Sequence, residues 1–154
     1  MRVLGIDPGL ATTGYGVVEK RNGVFRMVCS GVFTTSVGEA DGVRLLELYE
    51  ALERVIGETD PECAAVERLY FSRNVSTALP VAQARGVVLL QLTRFGLKYG
   101  EYTPNQVKQG VTGSGRASKA QVQEMVRRLL ALEQLPSPDD AADALAVAIT
   151  HHEP

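Results

Sequence analysis

From Ala141 to Ile149 the chain reads AADALAVAI, nine residues with a single charge, Asp143. A helix that is apolar nearly all round has no face to offer water, so it must lie inside a core. The remainder of the 154 residues has to supply that core, and the length suits one domain, residues 1–154. A carboxylate inside such a helix is expensive unless a cation meets it. An arginine in the core or a bound metal ion are the two ways to provide one.

The order of the other patterns narrows the architecture. Residues 1–7 read as a short buried strand. Tyr15–Glu19 and Phe25–Thr35 read as strands joined through Arg21-Asn22-Gly23, and Asn-Gly between such runs signals a hairpin. Val43, Leu45, Leu46, Leu48, Leu52, Val55 and Ile56 then recur at helical steps up to Thr59-Asp60-Pro61. Cys63–Val66 is a second short apolar run. A long helical pattern follows over Val75–Tyr99, with a break or kink expected at Pro80. Glu101–Thr103 predicts a brief strand and Pro104 a helical start. The loop Gly113-Ser114-Gly115 leads to a helix over Ser118–Leu132, and Ser137-Pro138 opens the last one. A meander followed by helices alternating with short strands predicts an α/β domain with a mixed sheet flanked by helices.

Composition excludes several classes. With 45% hydrophobic and 22% charged residues the chain is neither disordered nor fibrous. No run reaches the roughly 18 apolar residues of a spanning helix, so no membrane role is expected. The first residues lack a secretory pattern, which predicts a cytoplasmic protein. Cys29 and Cys63 sit in apolar strand-like sequence without C-x-x-C spacing and are expected to be buried free thiols.

Two of the short apolar runs end in an acid, Asp7 and Glu67. In open α/β sheets the functional crevice lies beyond the carboxyl ends of the strands. Pro8 biases Asp7 toward an extended conformation, and Gly9 lets the chain turn away beside it; a plain turn cap is the bland alternative. Asp140 precedes Asp143 by three positions, which places both on one helix face. Ser137-x-x-Asp140 also fits a capping box with Pro138 at the first helical position. Asp139 competes for the same face, and pattern alone does not decide between Asp139 and Asp140.

Two strand-end acids plus a helical pair make an oxygen-rich cluster suited to Mg²⁺ or Mn²⁺, not zinc. Four acids converging without cations would repel, whereas two divalent ions relieve the conflict and suit in-line phosphodiester cleavage. The net charge of −2 and pI near 5.7 argue weakly against nucleic-acid binding. Setting four site acids aside turns −2 into +2, so the remaining surface is mildly basic.

These residues resemble the RuvC-type Holliday junction resolvases, a family with an RNase H-like (retroviral-integrase-like) fold. The carrying stretches are GIDPG (Gly5–Gly9), TGYGVV (Thr13–Val18), AVERLYF (Ala65–Phe71), AQARGVV (Ala82–Val88), QVKQ (Gln106–Gln109) and DAADALAVAITH (Asp140–His151), in this order along essentially the whole chain. The resemblance implies a homodimeric endonuclease that nicks opposing strands of four-way junction DNA symmetrically and leaves 5′-phosphate ends. It implies Asp7, Glu67, Asp140 and Asp143 as catalytic acids that hold two Mg²⁺ or Mn²⁺ ions per site. Its D-A-A-D spacing favours Asp140 over Asp139. A RuvA-RuvB branch-migration complex is the further partner it implies.

Lys108 and Lys119 each lie near a polar helix start, where amides and lysine attract phosphate, and they match basic positions of that family. Arg68, Tyr70 and Arg73 follow Glu67 directly and are candidate DNA contacts. Tyr70 falls where the family carries an aromatic that stacks on or unpairs bases, with Phe71 read as the core residue of the two. The Val- and Leu-rich helix around Val81–Leu97 is a candidate two-fold interface or plain core. His151 and His152 are expected to interact with the C-terminal helix dipole. The rival reading is a nucleotide-binding ATPase of the actin/sugar-kinase type, which also begins with a strand, an acid and a glycine turn. A noncatalytic nucleic-acid module of the same fold is the third.

Overall fold

The structure is a computed structural model that describes residues 1–68 and 75–152. Among them, ten elements follow one another: β1 (Arg2–Asp7), β2 (Thr12–Arg21), β3 (Val24–Thr34), α1 (Asp41–Thr59), β4 (Cys63–Glu67), α2 (Val75–Arg94), β5 (Lys98–Tyr102), α3 (Pro104–Thr112), α4 (Lys119–Leu129) and α5 (Asp139–His152). The strands form one sheet in the order β3-β2-β1-β4-β5. The first three are antiparallel, while β4 runs parallel to β1 and β5 parallel to β4. This is the mixed sheet that the early meander and the later alternation predict.

The hairpin turn follows its sequence. Asn22 and Gly23 both take positive φ, 51° and 78°, the combination a tight turn between twisted strands requires. β2 is longer than the apolar pattern marks, because Thr12, Thr13 and Gly14 already pair with Thr34, Phe33 and Val32, while β3 is shifted by one residue from the expected Phe25–Thr35.

Period-two alternation divides the sheet between two cores. Leu4, Ile6, Val17, Ala64 and Val66 point one way and pack with Leu48, Leu52, Val55, Ala84, Val88 and Leu92 of α1 and α2. Val3, Val18 and Ala65 point the other way and pack with Val107, Val111, Val126, Leu145 and Ile149 of α3, α4 and α5. α5 therefore runs between the sheet and an outer pair of helices. That placement explains its sequence: Ala141, Ala142 and every residue from Ala144 to Thr150 are buried, with Asp143 the half-buried break.

Several boundaries differ from the expectation. α2 ends at Arg94 instead of Tyr99. Gly96 (φ 70°) donates to Thr93 O and Leu97 N to Leu92 O, a left-handed glycine terminus that releases the chain into β5. Pro80 lies within α2 without ending it. It forfeits one main-chain donor, which the packing of Ala84, Val88 and Leu92 on α1 outweighs. α5 begins at Asp139, with the Pro138 carbonyl accepting from Ala141 N and Ala142 N, so Pro138 takes the capping position in place of Ser137. Cys29 and Cys63 are free but only half-buried.

The two histidines depart further. His151 Nδ1 hydrogen-bonds the Tyr102 hydroxyl at 2.8 Å, and His152 Nε2 lies 3.1 Å from Val18 O. Burial holds both imidazoles below their ordinary pKa. They tie α5 to the sheet as neutral rings and do not serve the helix dipole as cations.

Candidate active site

The alternation that sends Val3 toward α5 sends Gly5 and Asp7 the same way. On β4, Ala65 and Glu67 share that face. Because β1 and β4 are parallel and pair Gly5 with Ala65 and Ile6 with Val66, the two acids emerge side by side at the ends of neighbouring strands. Register alone thus brings together residues sixty positions apart in the chain.

α5 supplies the other two. It lies unusually close to the sheet because the strands beneath it carry glycine where they meet it. A Cβ on Gly14 would stand 1.9 Å from Asp140 O, and one on Gly5 would stand 2.0 Å from Ala144 O. The glycines of GIDPG and TGYG are therefore the space into which the helix backbone settles. With α5 held there, Asp7, Asp140 and Asp143 each present a carboxylate oxygen within 4.8 Å of the others. Glu67 is hydrogen-bonded to Asp7 at the side of this trio. Asp139 points elsewhere: it is exposed, 3.5 Å from Lys119 Nζ and accepting from Gln123 Nε2.

The electrostatics follow from the crowding. Burial, followed by the charges of Glu67, Asp143 and Asp140, pushes the Asp7 carboxyl far above the usual carboxylate range. Burial also raises Glu67 and Asp143, and Lys119 opposes the shift at Asp143. No arginine pairs with Asp143 among the described residues; its cation is Lys119 Nζ, 3.8 Å away. A quartet of this kind either keeps protons at neutral pH or exchanges them for a hard cation. An all-carboxylate donor set, half open to solvent, fits a divalent ion that favours oxygen.

A cleft of about 270 Å³ opens beside the cluster, lined by two of its acids, Glu67 and Asp143, with Pro104, Lys108, Lys119 and Val122. Lys108 reaches it from α3, whose start is fixed by a reciprocal Thr103–Gln106 cap. Lys119 reaches it from the first position of α4, where Ser118 and Gln121 form the same device. Arg68 is exposed just beyond β4, with its N–H donating to Tyr102 O at 2.7 Å. Tyr70 and Arg73, with Phe71, lie outside the described residues.

Sequence reasoning missed the residues that hold the first turn. Thr13, 1% exposed, accepts from Gly9 N at 3.1 Å and donates to Gly9 O, while the Thr35 hydroxyl donates to Leu10 O at 2.7 Å. The signal available was a threonine at the head of a strand directly after the Asp-Pro-Gly turn.

A family model described as crossover junction endodeoxyribonuclease RuvC matches residues 3–151. The crossover junction endodeoxyribonuclease RuvC of Chloroflexus aggregans is 56% identical over 151 residues, covering 98% of this chain and 92% of that protein. Its counterpart in Chloroflexus aurantiacus is 54% identical over the same shares. Among solved structures, Thermus thermophilus RuvC in complex with a Holliday junction substrate superposes with a TM-score of 0.95 at 38% identity, covering 99% of this chain and 93% of that one. The fold is RNase H-like. The actin/sugar-kinase alternative falls with these matches, and the chain belongs to the RuvC family of crossover junction endodeoxyribonucleases.

Proposed function

We propose that this chain resolves four-way DNA junctions by nicking opposing strands, with Asp7, Glu67, Asp140 and Asp143 as its catalytic acids. The observation that carries the reading is the convergence of Asp7, Asp140 and Asp143 within 4.8 Å, beside a cleft that Asp143 and Glu67 line together with two lysines. The four acids would hold Mg²⁺ or Mn²⁺, two ions per site. Bound there, such ions supply Lewis-acid polarisation of the scissile phosphate and charge to stabilise the departing 3′-oxygen.

The chain's own residues do the rest. The carboxylates fix the cation positions because their backbones are set by strand register and by the seat of α5. Lys108 and Lys119 draw the phosphate toward the acids and offset its charge as it arrives. Arg68, Tyr70 and Arg73 follow Glu67 in sequence and extend the DNA contact away from the cut, the arginines to phosphate and the tyrosine to a base.

Symmetric cutting calls for two sites related by a two-fold axis, hence a homodimer. α2 supports this with Leu79 and Leu90 exposed at 54% and 61%, while Ala84, Val88 and Leu92 of the same helix are buried in the core. Residues 1–154 act as one nuclease domain, working in the cytoplasm with a RuvA-RuvB branch-migration complex. No helix among the described residues is long and apolar enough to cross a membrane.

The test is cleavage of a synthetic four-way junction, labelled on each strand in turn, with Mg²⁺ or Mn²⁺. Paired nicks on opposing strands are expected, with linear duplex left intact. Asp7→Asn and Asp143→Asn should bind the junction and not cut it. Cutting by either variant at the wild-type rate would overturn the assignment.

A further inference from the structure

The tandem Asp139-Asp140 sends its two carboxylates in different directions. Asp140 joins Asp7 and Asp143, whereas Asp139 faces α4, with Oδ2 3.5 Å from Lys119 Nζ and Oδ1 accepting from Gln123 Nε2 at 3.2 Å. Lys119 and Gln123 are one turn apart, so a single face of α4 grips the aspartate. Lys119 Nζ is also 3.8 Å from Asp143 Oδ2. The ammonium is thus shared between a carboxylate outside the acidic cluster and one inside it.

Asp143 and Asp139 both attract the ammonium, at 3.8 Å and 3.5 Å, and both raise the lysine's pKa. Lys119 is the first residue of α4, where the helix dipole disfavours a cation. Its main chain is pinned by the reciprocal Ser118–Gln121 cap. With the backbone fixed and the dipole unfavourable, the neighbouring carboxylates decide where the ammonium stands. If Asp139 is removed, the carboxylate that remains beside it is Asp143. An ammonium drawn fully onto Asp143 neutralises a member of the cluster and competes with a divalent cation for it.

We propose that Asp139 is a positioning residue: it holds the Lys119 ammonium at the rim of the cleft, off Asp143, so that the lysine faces incoming phosphate and Asp143 stays available to the cation. The inference rests on the reading of Asp7, Asp140 and Asp143 as the cation site. It is specific to the tandem acid of this chain, since a single aspartate at 140 would leave Lys119 with the cluster alone.

The test is Mn²⁺ affinity by titration calorimetry on the full chain, for wild type, Asp139→Asn, Lys119→Gln, the double variant and Asp7→Asn. The asparagine keeps an acceptor for Gln123, and the Asp139 and Lys119 side chains are 71% and 58% exposed, so these substitutions leave the fold intact. An exposed pair of this kind is worth a few-fold in an equilibrium. Asp139→Asn should therefore weaken Mn²⁺ binding about three- to fivefold in wild type and by less than about 1.5-fold in the Lys119→Gln background. Equal weakening in both backgrounds would overturn the proposal, because Asp139 would then act only through its own charge. No weakening in wild type would overturn it as well. Undiminished Mn²⁺ binding by Asp7→Asn would instead refute the cation site on which it rests.

Discussion

Gly14→Ala is the sharpest perturbation of the site that touches none of its acids. The added Cβ would stand 1.9 Å from Asp140 O, 2.4 Å from Asp140 C and 3.1 Å from Ala141 N, all main-chain atoms that cannot rotate aside. Ordinary contact begins near 3.4 Å, so the first turn of α5 must retreat by about 1.5 Å to admit the methyl group. That shift carries Asp140 and Asp143 away from Asp7, whose oxygens now lie within 4.8 Å of theirs. A misplacement of about 1 Å at a reacting centre costs on the order of 100-fold, and overpacking a core costs about 1–3 kcal/mol. Junction cleavage under single-turnover conditions should fall at least 100-fold, while circular dichroism at the assay temperature shows a folded chain. Cleavage within threefold of wild type at an unchanged melting temperature would refute the idea that glycine sets the seat of α5.

Three further outcomes follow from the same geometry. Thr13→Val leaves the N–H and carbonyl of Gly9 without their partner and should cost about 1–3 kcal/mol in urea unfolding, whereas Thr13→Ser keeps the hydroxyl and most of the stability. Glu19 is held down from its ordinary 4.5 to about 2, first by the hydrogen bond from Arg26, then by Arg2 and the charge of Arg21. Folded Glu19 gives up its proton more readily than unfolded Glu19, so the stability it contributes is whole above about pH 4.5 and drains away toward pH 2. Melting temperatures of Glu19→Gln should accordingly show a flatter acid limb than wild type. Manganese at a hundredfold excess over its dissociation constant should add about 2.7 kcal/mol to wild type and nothing to Asp7→Asn, read by thermal unfolding. Because burial raises Asp7, Glu67 and Asp143, protons compete with the ion, and the gain should shrink as the pH falls.

Much of this molecule is legible in one dimension because its signals are local. Asn22-Gly23 marks its turn through the positive φ that both residues take. The α1 pattern is visible as periodicity, the Ala141–Ile149 stretch of α5 as an apolar run broken only by Asp143, and an acid at the end of an apolar run marks Asp7 and Glu67. The misjudged boundaries were set by contacts or by a terminus that competes with propensity. α2 stops at the left-handed Gly96 although apolar residues continue beyond it, and it runs through Pro80 because its inner face is packed on α1. The histidines that close α5 look like dipole partners in sequence and turn out as neutral rings wedged against Tyr102 and Val18.

The sequence by itself determined which residue types were present for metal-dependent phosphodiester chemistry and which elements would carry them. Its motifs were dense enough to point to a family. The D-A-A-D spacing favours Asp140 as the inner acid of the tandem, but only the tertiary structure decided that Asp139 and Asp143 share Lys119 and how near α5 comes to β1 and β2. Those outcomes depend on the distance between main chains, and Gly5 and Gly14 set it by leaving room for the backbone of α5. A missing side chain leaves no periodic trace, so its meaning appears only once the helix it admits is in place.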